Sequence, residues 1–395
     1  MGRPVSPSQA MQNRLQKNAL EVQREMTGMK KSSETLAGMG TKGSDIRVAI
    51  DLSDQQSRWE ARDLSTGEVR RGVLQMTPAG LERCFAGAEP CTVVMEAGTH
   101  SHWLCAQLRK MGHRAEVLPA DVLREGSGKR RRRNDAKDTT DLLEHAVDID
   151  RPREKKLWQR PDEYQRDLAL MRMRNAVVEA RASFVNTVRG IVKPFGERVS
   201  RCDVEYFVGR ARAELSEGML ALVEPVLGQI EELNKAVAQY DKQVRAYLAR
   251  RPEAARLLAV PGVGEVTVGA FMAYVGEAGR FARSRDVPAH IGLVPGLDQS
   301  GEHDPQLRIT KVGDRMMRRN FLECARGIMG PFGKDSALRR WALALAGDGR
   351  NKIRKNKAAV ALARKLAVLL HRLWVSGEAY DPWYGTKAGT KGELA

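Results

Sequence analysis

Residues 46–52 read IRVAIDL and residues 92–97 read TVVMEA. Each is a short apolar run that closes on a carboxylate, Asp51 in the first and Glu96 in the second. Such runs, bounded by turn formers and rich in β-branched residues, read as buried strands. In a parallel or mixed sheet the carboxyl ends of neighbouring strands open into one crevice, so the two acids can meet there. Working outward, polar-alternating runs around Trp59 to Leu64 and Val69 to Leu74, joined by Ser65, Thr66 and Gly67, predict a hairpin. Residues 77–86 and 101–111 predict helices, residues 115–118 a short strand, and a further helix runs from about Asp138 to Val147. The order β-β-β-α-β-α-β followed by a helix predicts an α/β layer, helices packed on a mixed sheet.

Asp135 and Asp138 stand three apart at the start of that last helix, so both lie on one helical face and can point into the same crevice. Hard oxygen ligands of this kind suit Mg²⁺ or Mn²⁺, and two ions about 4 Å apart can clamp the attacking and leaving oxygens of a phosphate. Taken singly, an Asp at a strand end is a turn former and an Asp at a helix start is a cap. It is the set, in strand-strand-helix order, that argues for a metal site cutting phosphodiesters. Just before it stand Lys129, Arg130, Arg131, Arg132 and Arg133. Such a run is either a solvated segment or a grip on the strand being cut.

The whole chain has 395 residues, which suggests two or three domains. Sixty-six Lys and Arg against 49 Asp and Glu leave a net charge of +17. That balance predicts a polyanionic partner, since each neutralised phosphate releases a counterion. Nucleic acid is favoured over a membrane surface, because no run of 18 apolar residues and no isolated basic amphipathic helix is present. Five scattered cysteines without a C-x-x-C pair indicate neither a disulfide framework nor a zinc ribbon, which fits a reducing cytoplasm. Residues 1–44 are polar, lack a secretory h-region and read as a flexible arm, helical over about residues 8–26.

The middle of the chain changes period. Tyr164, Leu168, Met171, Val178, Val185, Val188 and Val192 form one apolar helical stripe. Val226, Ile230, Leu233, Val237, Tyr240, Val244 and Leu248 form a second, close to a heptad seam. Pro194 and Gly196 break the chain between them, so the expectation is two antiparallel helices, within one chain or shared between subunits. Beyond Pro252, residues 257–264 read LLAVPGVG. Gly262 and Gly264 permit a tight turn whose following helix can hold a phosphate on free backbone N–H groups, or they make a plain helix-helix turn. Ser300, with Gly301 behind it, sits in a loop where a serine is ordinarily a turn residue. Lys311, Arg315, Arg318 and Arg319 put cations on adjoining helical faces, suited to a phosphoryl transition state or to backbone phosphates. A basic stretch from Arg339 to Lys357 precedes a helix with Leu362, Leu366, Leu369, Leu370 and Leu373 on one side.

These residues resemble a family, the DEDD-type transposases of bacterial insertion sequences. The carrying motifs are Val48-Ala49-Ile50-Asp51, Val94-Met95-Glu96-Ala97 and Asn134-Asp135-Ala136-Lys137-Asp138 in the first half. In the second they are Pro261-Gly262-Val263-Gly264, Gly292-Leu293-Val294-Pro295, Ser300-Gly301 and Thr310-Lys311-Val312-Gly313-Asp314-Arg315. The resemblance covers about residues 45 to 375. It implies an RNase H-like (RuvC-like) domain over 45–155, with Asp51, Glu96, Asp135 and Asp138 as metal-binding catalytic acids. It implies a coiled-coil connector over 156–250 and a mostly helical transposase domain over 251–380, with a helix-hairpin-helix and a serine, matched by Ser300, that forms a phosphoserine with DNA. Residues 1–44 and 381–395 are then an extension and a tail. The resemblance further implies a guide RNA encoded by the element, donor and target DNA sites, dimers assembling into a tetramer, and a place at the bacterial nucleoid.

Three departures qualify the match. Thr139 stands where alanine is usual, with Asp141 near as a competing ligand; Asp314 stands where asparagine is common; and Glu302, His303 and Asp304 crowd the serine. Two rival functions remain open at this level. One is a metal-dependent Holliday-junction-type endonuclease in which water attacks, and the other is a non-catalytic nucleic-acid binder in which the acids are caps.

Overall fold

The computed structural model describes residues 35–41, 45–120, 135–151, 156–299, 305 and 307–384, with side chains of 135–137 left aside. The arm, the basic run 129–133 and Ser300 therefore lie outside the described residues. The chain divides into two compact units, Met1–Gln159 and Arg160–Ala395.

In the first unit the strands are β1 (Ile46–Asp51), β2 (Gln56–Asp63), β3 (Val69–Gln75), β4 (Thr92–Glu96) and β5 (Arg114–Leu118). They form one mixed sheet in the order β3-β2-β1-β4-β5, antiparallel from β3 to β1 and parallel from β1 to β5. The expected hairpin forms with Gly67 in the left-handed region (φ 76°) and Asp63 Oδ1 accepting from Ser65 N at 2.8 Å. Helix α1 (Pro78–Phe85) starts where Thr77 Oγ1 accepts from Gly80 N, and α2 (Ser101–Lys110) returns the chain to β5. Pleating divides each strand between two faces. Val48, Ile50, Trp59, Val93, Met95 and Val117 pack with Leu81, Phe85, Leu104 and Leu108 of the two helices. Ala49, Val94 and Leu118 point the other way, against Leu142, Leu143 and Ala146 of α3 (Asp135–Val147). Two helix layers on one sheet give the α/β class the alternation predicts.

In the second unit α4 (Asp162–Val192) and α6 (Glu217–Ala249) run antiparallel, joined through α5 (Phe207–Glu214). The direction is fixed by paired polar side chains: Arg174 Nε donates to Asp241 Oδ1 at 2.6 Å, and Arg181 Nη1 to Asn234 Oδ1 at 2.8 Å. Each apolar stripe is split between two cores. Val185, Val188, Val192 and Ile230 pack with α5, whereas Leu168, Met171, Val244 and Leu248 join the core of the segments beyond residue 250. Those segments are α7 (Ala254–Leu258), α8 (Glu265–Val275), α9 (Val287–Ile291), α10 (Arg315–Met329), α11 (Ala337–Ala346) and α12 (Lys352–Ser376). Helix α8 is apolar all round and buried from Thr267 to Val275, so it is the axis on which the other helices pack. All five cysteines are free thiols, and burial pushes Cys84 and Cys91 up to about 12. No described helix is long and apolar enough to cross a membrane.

Candidate functional site

In the first unit β1 and β4 pair in parallel with Ile50 opposite Met95, so the next residues, Asp51 and Glu96, stand side by side. Neighbouring strands are about 4.8 Å apart, which brings both carboxyls to one edge. By strand alternation both share the face of Ala49 and Val94, the one that α3 covers. Both are half-buried and both have interaction partners.

The direction of α3 follows from its contacts along β2. Arg62, which faces Arg47 across the ladder, donates from Nη2 to Glu144 Oε1 at 3.0 Å. Glu60, which faces Ala49, accepts at Oε2 from Thr140 Oγ1 at 2.8 Å. One helical turn thus matches two strand residues, and the helix runs against β1. One turn further toward its start, the level of Asp135 and Asp138 coincides with Arg58 and, opposite Arg58, Asp51. Asp138 is half-buried, Thr139 is buried in the packing, and Asp141 is half-buried and engaged. The loops after the two strands also meet, with His100 Nε2 3.2 Å from Asp54 Oδ1.

Sequence reasoning missed Glu60 and Arg58. Glu60 is 2% exposed, and its other oxygen accepts from Arg71 Nη2 at 2.9 Å, an interaction that raises the Arg71 guanidinium above its ordinary value. The signal was the alternation Arg58, Glu60, Arg62 between buried Ser57, Trp59 and Ala61. Among the described residues no group of three or more His, Cys, Asp or Glu side chains converges as a metal cage. Carboxylates are the donor type that Mg²⁺ and Mn²⁺ take.

In the second unit the residues flanking Ser300 form a tight frame. Gly296 N donates to Arg308 O at 2.9 Å, Thr310 N to Val294 O at 2.9 Å and Lys311 N to Gly292 O at 3.2 Å, around an antiparallel bridge of Pro295 with Ile309. Residues 297–307 connect the two sides. Gly292 (φ 76°) and Gly313 (φ 81°) interlock at the base. A Cβ on the first would lie 2.1 Å from Val312 O, and on the second 2.3 Å from His290 O. Lys311 is itself left-handed at φ 58°. Arg318 Nη1 donates to the carbonyls of Ile291, Val312 and Gly313 at 3.0, 2.9 and 3.0 Å. Tyr274 Oη donates to His290 O at 3.1 Å and accepts from Asp314 N at 3.3 Å. Asp314 then caps α10 through Met316 N and Met317 N, and pairs with Arg172 of α4 at 3.2 Å. A carboxylate at this cap takes up Arg172 as well as the helix N–H groups, which explains how the chain uses an acid at this position.

The four cations named from sequence separate into two kinds. Lys311 and Arg315 are exposed, whereas Arg318 holds the frame and Arg319 binds Glu179 and Asn175 of α4. The glycine turn between α7 and α8 is exposed at Gly262 and Gly264. Gly262 has φ 82°, and a Cβ there would strike Ile328 at 2.6 Å. The turn walls an open hollow of about 670 Å³ that also includes Arg326, Lys334 and Phe332, the last 96% exposed. Glu265 opens α8 and lies 3.6 Å from Arg245, so an acid already stands at that helix start.

Residues 254–338, which contain the glycine turn and the whole serine-loop frame, match the model of the IS116/IS110/IS902 transposase family. Over longer spans the chain is similar to a probable family 20 transposase of Pseudomonas aeruginosa, 27% identical over 347 residues, covering 85% of this chain and 98% of that one. It is 26% identical over 360 residues to the transposase for insertion sequence element IS1111A of Coxiella burnetii, with 89% and 94% covered. It is also 26% identical over 313 residues to the transposase for insertion sequence element IS1328 of Yersinia enterocolitica, with 76% and 89% covered. Together these matches support an insertion-sequence transposase family for the chain.

Proposed function

We propose that the chain is an RNA-guided, site-specific DNA recombinase of an insertion sequence, with an RNase H-like first unit. In this reading Asp51, Glu96, Asp135 and Asp138 hold Mg²⁺ or Mn²⁺, and Ser300 is the nucleophile. The observation that carries it is the register of β1 and β4, which sets Asp51 beside Glu96 on the face where α3 begins. When bound, the cation supplies charge neutralisation to the phosphate oxygens. Ser300 Oγ loses its proton and bonds to phosphorus, the bond from phosphorus to one deoxyribose oxygen breaks, and that oxygen takes up a proton. Attack by the freed hydroxyl of another strand on the phosphoserine reverses these steps and joins the strands. The left-handed glycines and Arg318 hold the two flanks between which the serine segment is strung. Basic residues 129–133 with Lys311 and Arg315 bind phosphates, and the net charge of +17 supports both DNA and guide RNA as partners. Assembly through dimers into a tetramer and a place at the nucleoid rest on the family resemblance alone.

The test is a supercoiled plasmid with donor and target sites, incubated with the full chain, its cognate RNA and Mg²⁺. A covalent protein-DNA adduct on denaturing gels, lost in Ser300→Ala, is expected. Cleavage without any adduct would sink the serine assignment in favour of hydrolysis by water, as in a junction-type endonuclease. DNA binding with no Mg²⁺-dependent cleavage would leave only a binding protein.

A further inference from the structure

A second surface, unconnected with the serine-loop frame, carries the chemistry of a single nucleic-acid strand. Helices α11 and α12 and the segment 380–384 enclose a groove of about 820 Å³. On α12 Arg364, Val368 and Arg372 follow at four-residue spacing and so share one face, with Lys365 beside them. Arg285 faces the same groove, and Asp381 is the one acid among its lining residues. Among the described residues no carboxylate pairs with Arg285, Arg364 or Lys365, while Arg372 Nη2 donates to Glu378 at 2.9 Å. Aromatic rings are interleaved with these cations. Lys365 Nζ lies 4.0 Å from the Trp341 ring centre, and Arg372 Cζ lies 4.0 Å from that of Tyr384. Trp341 stays 36% exposed and Tyr384 62%. The third wall is tied down by Ala337 N donating to Pro382 O at 2.9 Å and by Arg340 over the Trp383 ring at 4.8 Å.

We infer that this groove binds an unpaired DNA strand, with phosphates on Arg285, Arg364 and Lys365 and bases stacked on Trp341 and Tyr384. Uncompensated cations demand a polyanion, and exposed rings demand flat apolar faces. Only a strand whose bases are not already paired and stacked supplies both. Duplex DNA offers the phosphates but hides the ring faces, so it fits the charge and not the aromatics. DNA is the source because the homologues are transposases, and strand exchange must pass through unpaired segments. The inference rests to that extent on the proposed function, yet its site shares no residue with the acids or the serine loop.

The experiment is fluorescence anisotropy of the full chain with a labelled oligo-dT, a hairpin duplex of equal charge and an oligo-U of equal length. Trp341→Ala is expected to weaken oligo-dT binding about tenfold, since one stacked base contributes that much, and Arg364→Glu, which reverses a phosphate-binding charge, by a similar factor. Duplex affinity of Trp341→Ala should stay within about twofold, and Trp341→Phe, which keeps a ring, should retain oligo-dT binding. Circular dichroism and melting confirm that each variant is folded. Unchanged oligo-dT affinity in both folded loss variants overturns the inference, as does an equal loss on duplex in Trp341→Ala. Loss confined to oligo-U would assign the groove to RNA, and a changed oligomeric state with unchanged oligo-dT binding would assign it to a second copy; either overturns it. Should the wild-type chain form the serine adduct on plasmid while Trp341→Ala and Arg364→Glu bind oligo-dT as the wild type does, the groove falls and the recombinase stands. Should the wild-type chain bind oligo-dT through Trp341 but form no adduct, the reverse holds.

Discussion

At the ends of β1 and β4 the protein presents side chains, whereas at residues 292–296 and 308–314 it presents a backbone held in shape. The carboxylates of Asp51 and Glu96 owe their neighbourhood to a ladder that hydrogen bonds would form with many other residues in place. The serine-loop frame depends instead on Gly292 and Gly313, which leave no room for a Cβ, and on one guanidinium capping three carbonyls. A site of the first kind loses its chemistry to a substitution while keeping its fold. One of the second kind loses its fold first, and the contrast can be broken by experiment.

The largest effect is expected from Asp51→Ala. Strand cleavage should fall by about 10²–10³-fold, the scale of removing one transition-state stabiliser, with DNA affinity and melting temperature nearly unchanged. A variant that melts as much lower as it cuts slower would make Asp51 a structural acid and erase the contrast. Next come Gly292→Ala and Gly313→Ala. Left-handed strain added to collision with backbone oxygen costs about 3 kcal/mol or more. In a unit of this size that lowers the melting temperature by about 10 °C, read by calorimetry. Wild-type melting would show that the frame yields and is not the rigid base described.

A smaller loss sharpens the comparison within the sheet unit. Glu60→Gln keeps the volume but removes the charge from a buried acceptor of Arg71 and Thr140, costing about 1–3 kcal/mol in denaturant melts. Its cleavage rate should fall far less than that of Asp51→Ala, because Glu60 positions α3 and lies a strand step from the proposed metal acids. The smallest effect concerns pH. Burial first, and then Arg280 and Arg160, hold His290 down at about 4 from its ordinary 6.5. The unfolded chain therefore binds a proton that the folded one refuses, so stability is full above pH 6.5 and declines as the pH falls toward 4. Most of that decline should vanish in His290→Gln, measured by urea titration at pH 7 and pH 4.5.

Much of the sheet unit was legible in its sequence, because its signals are local. Among the described residues, alternation and apolar runs locate all five strands and all three helices, and Asp51 and Glu96 stand out as carboxylates ending apolar runs. Glu60 was passed over because a charged residue in a strand reads as solvent-facing until a helix is laid on it. In the helical unit the stripes predict two antiparallel helices, and the structure supplies them. What spacing does not tell is that Leu168, Met171, Val244 and Leu248 pack into the core beyond residue 250, since a stripe says that it is buried and not by what. Arg318 and Arg319 looked like phosphate ligands beside Lys311 and Arg315. The Ile291 carbonyl and the Glu179 that occupy them come from segments distant in sequence, joined on Arg318 by the carbonyls of Val312 and Gly313 just before α10.

The sequence by itself determined the element order, the mixed-sheet class and the strongly basic charge balance, because periodicity and composition are properties of a single segment. Only the tertiary structure decided that Asp51 and Glu96 stand in register under the start of α3, and that the glycines of residues 292 and 313 lock one loop against another. Only it gathered Trp341, Arg364 and Tyr384 into one groove. Register, interlocking and convergence join residues through space, and the hydrogen bonds and packing that set them belong to pairs of segments rather than to either one alone.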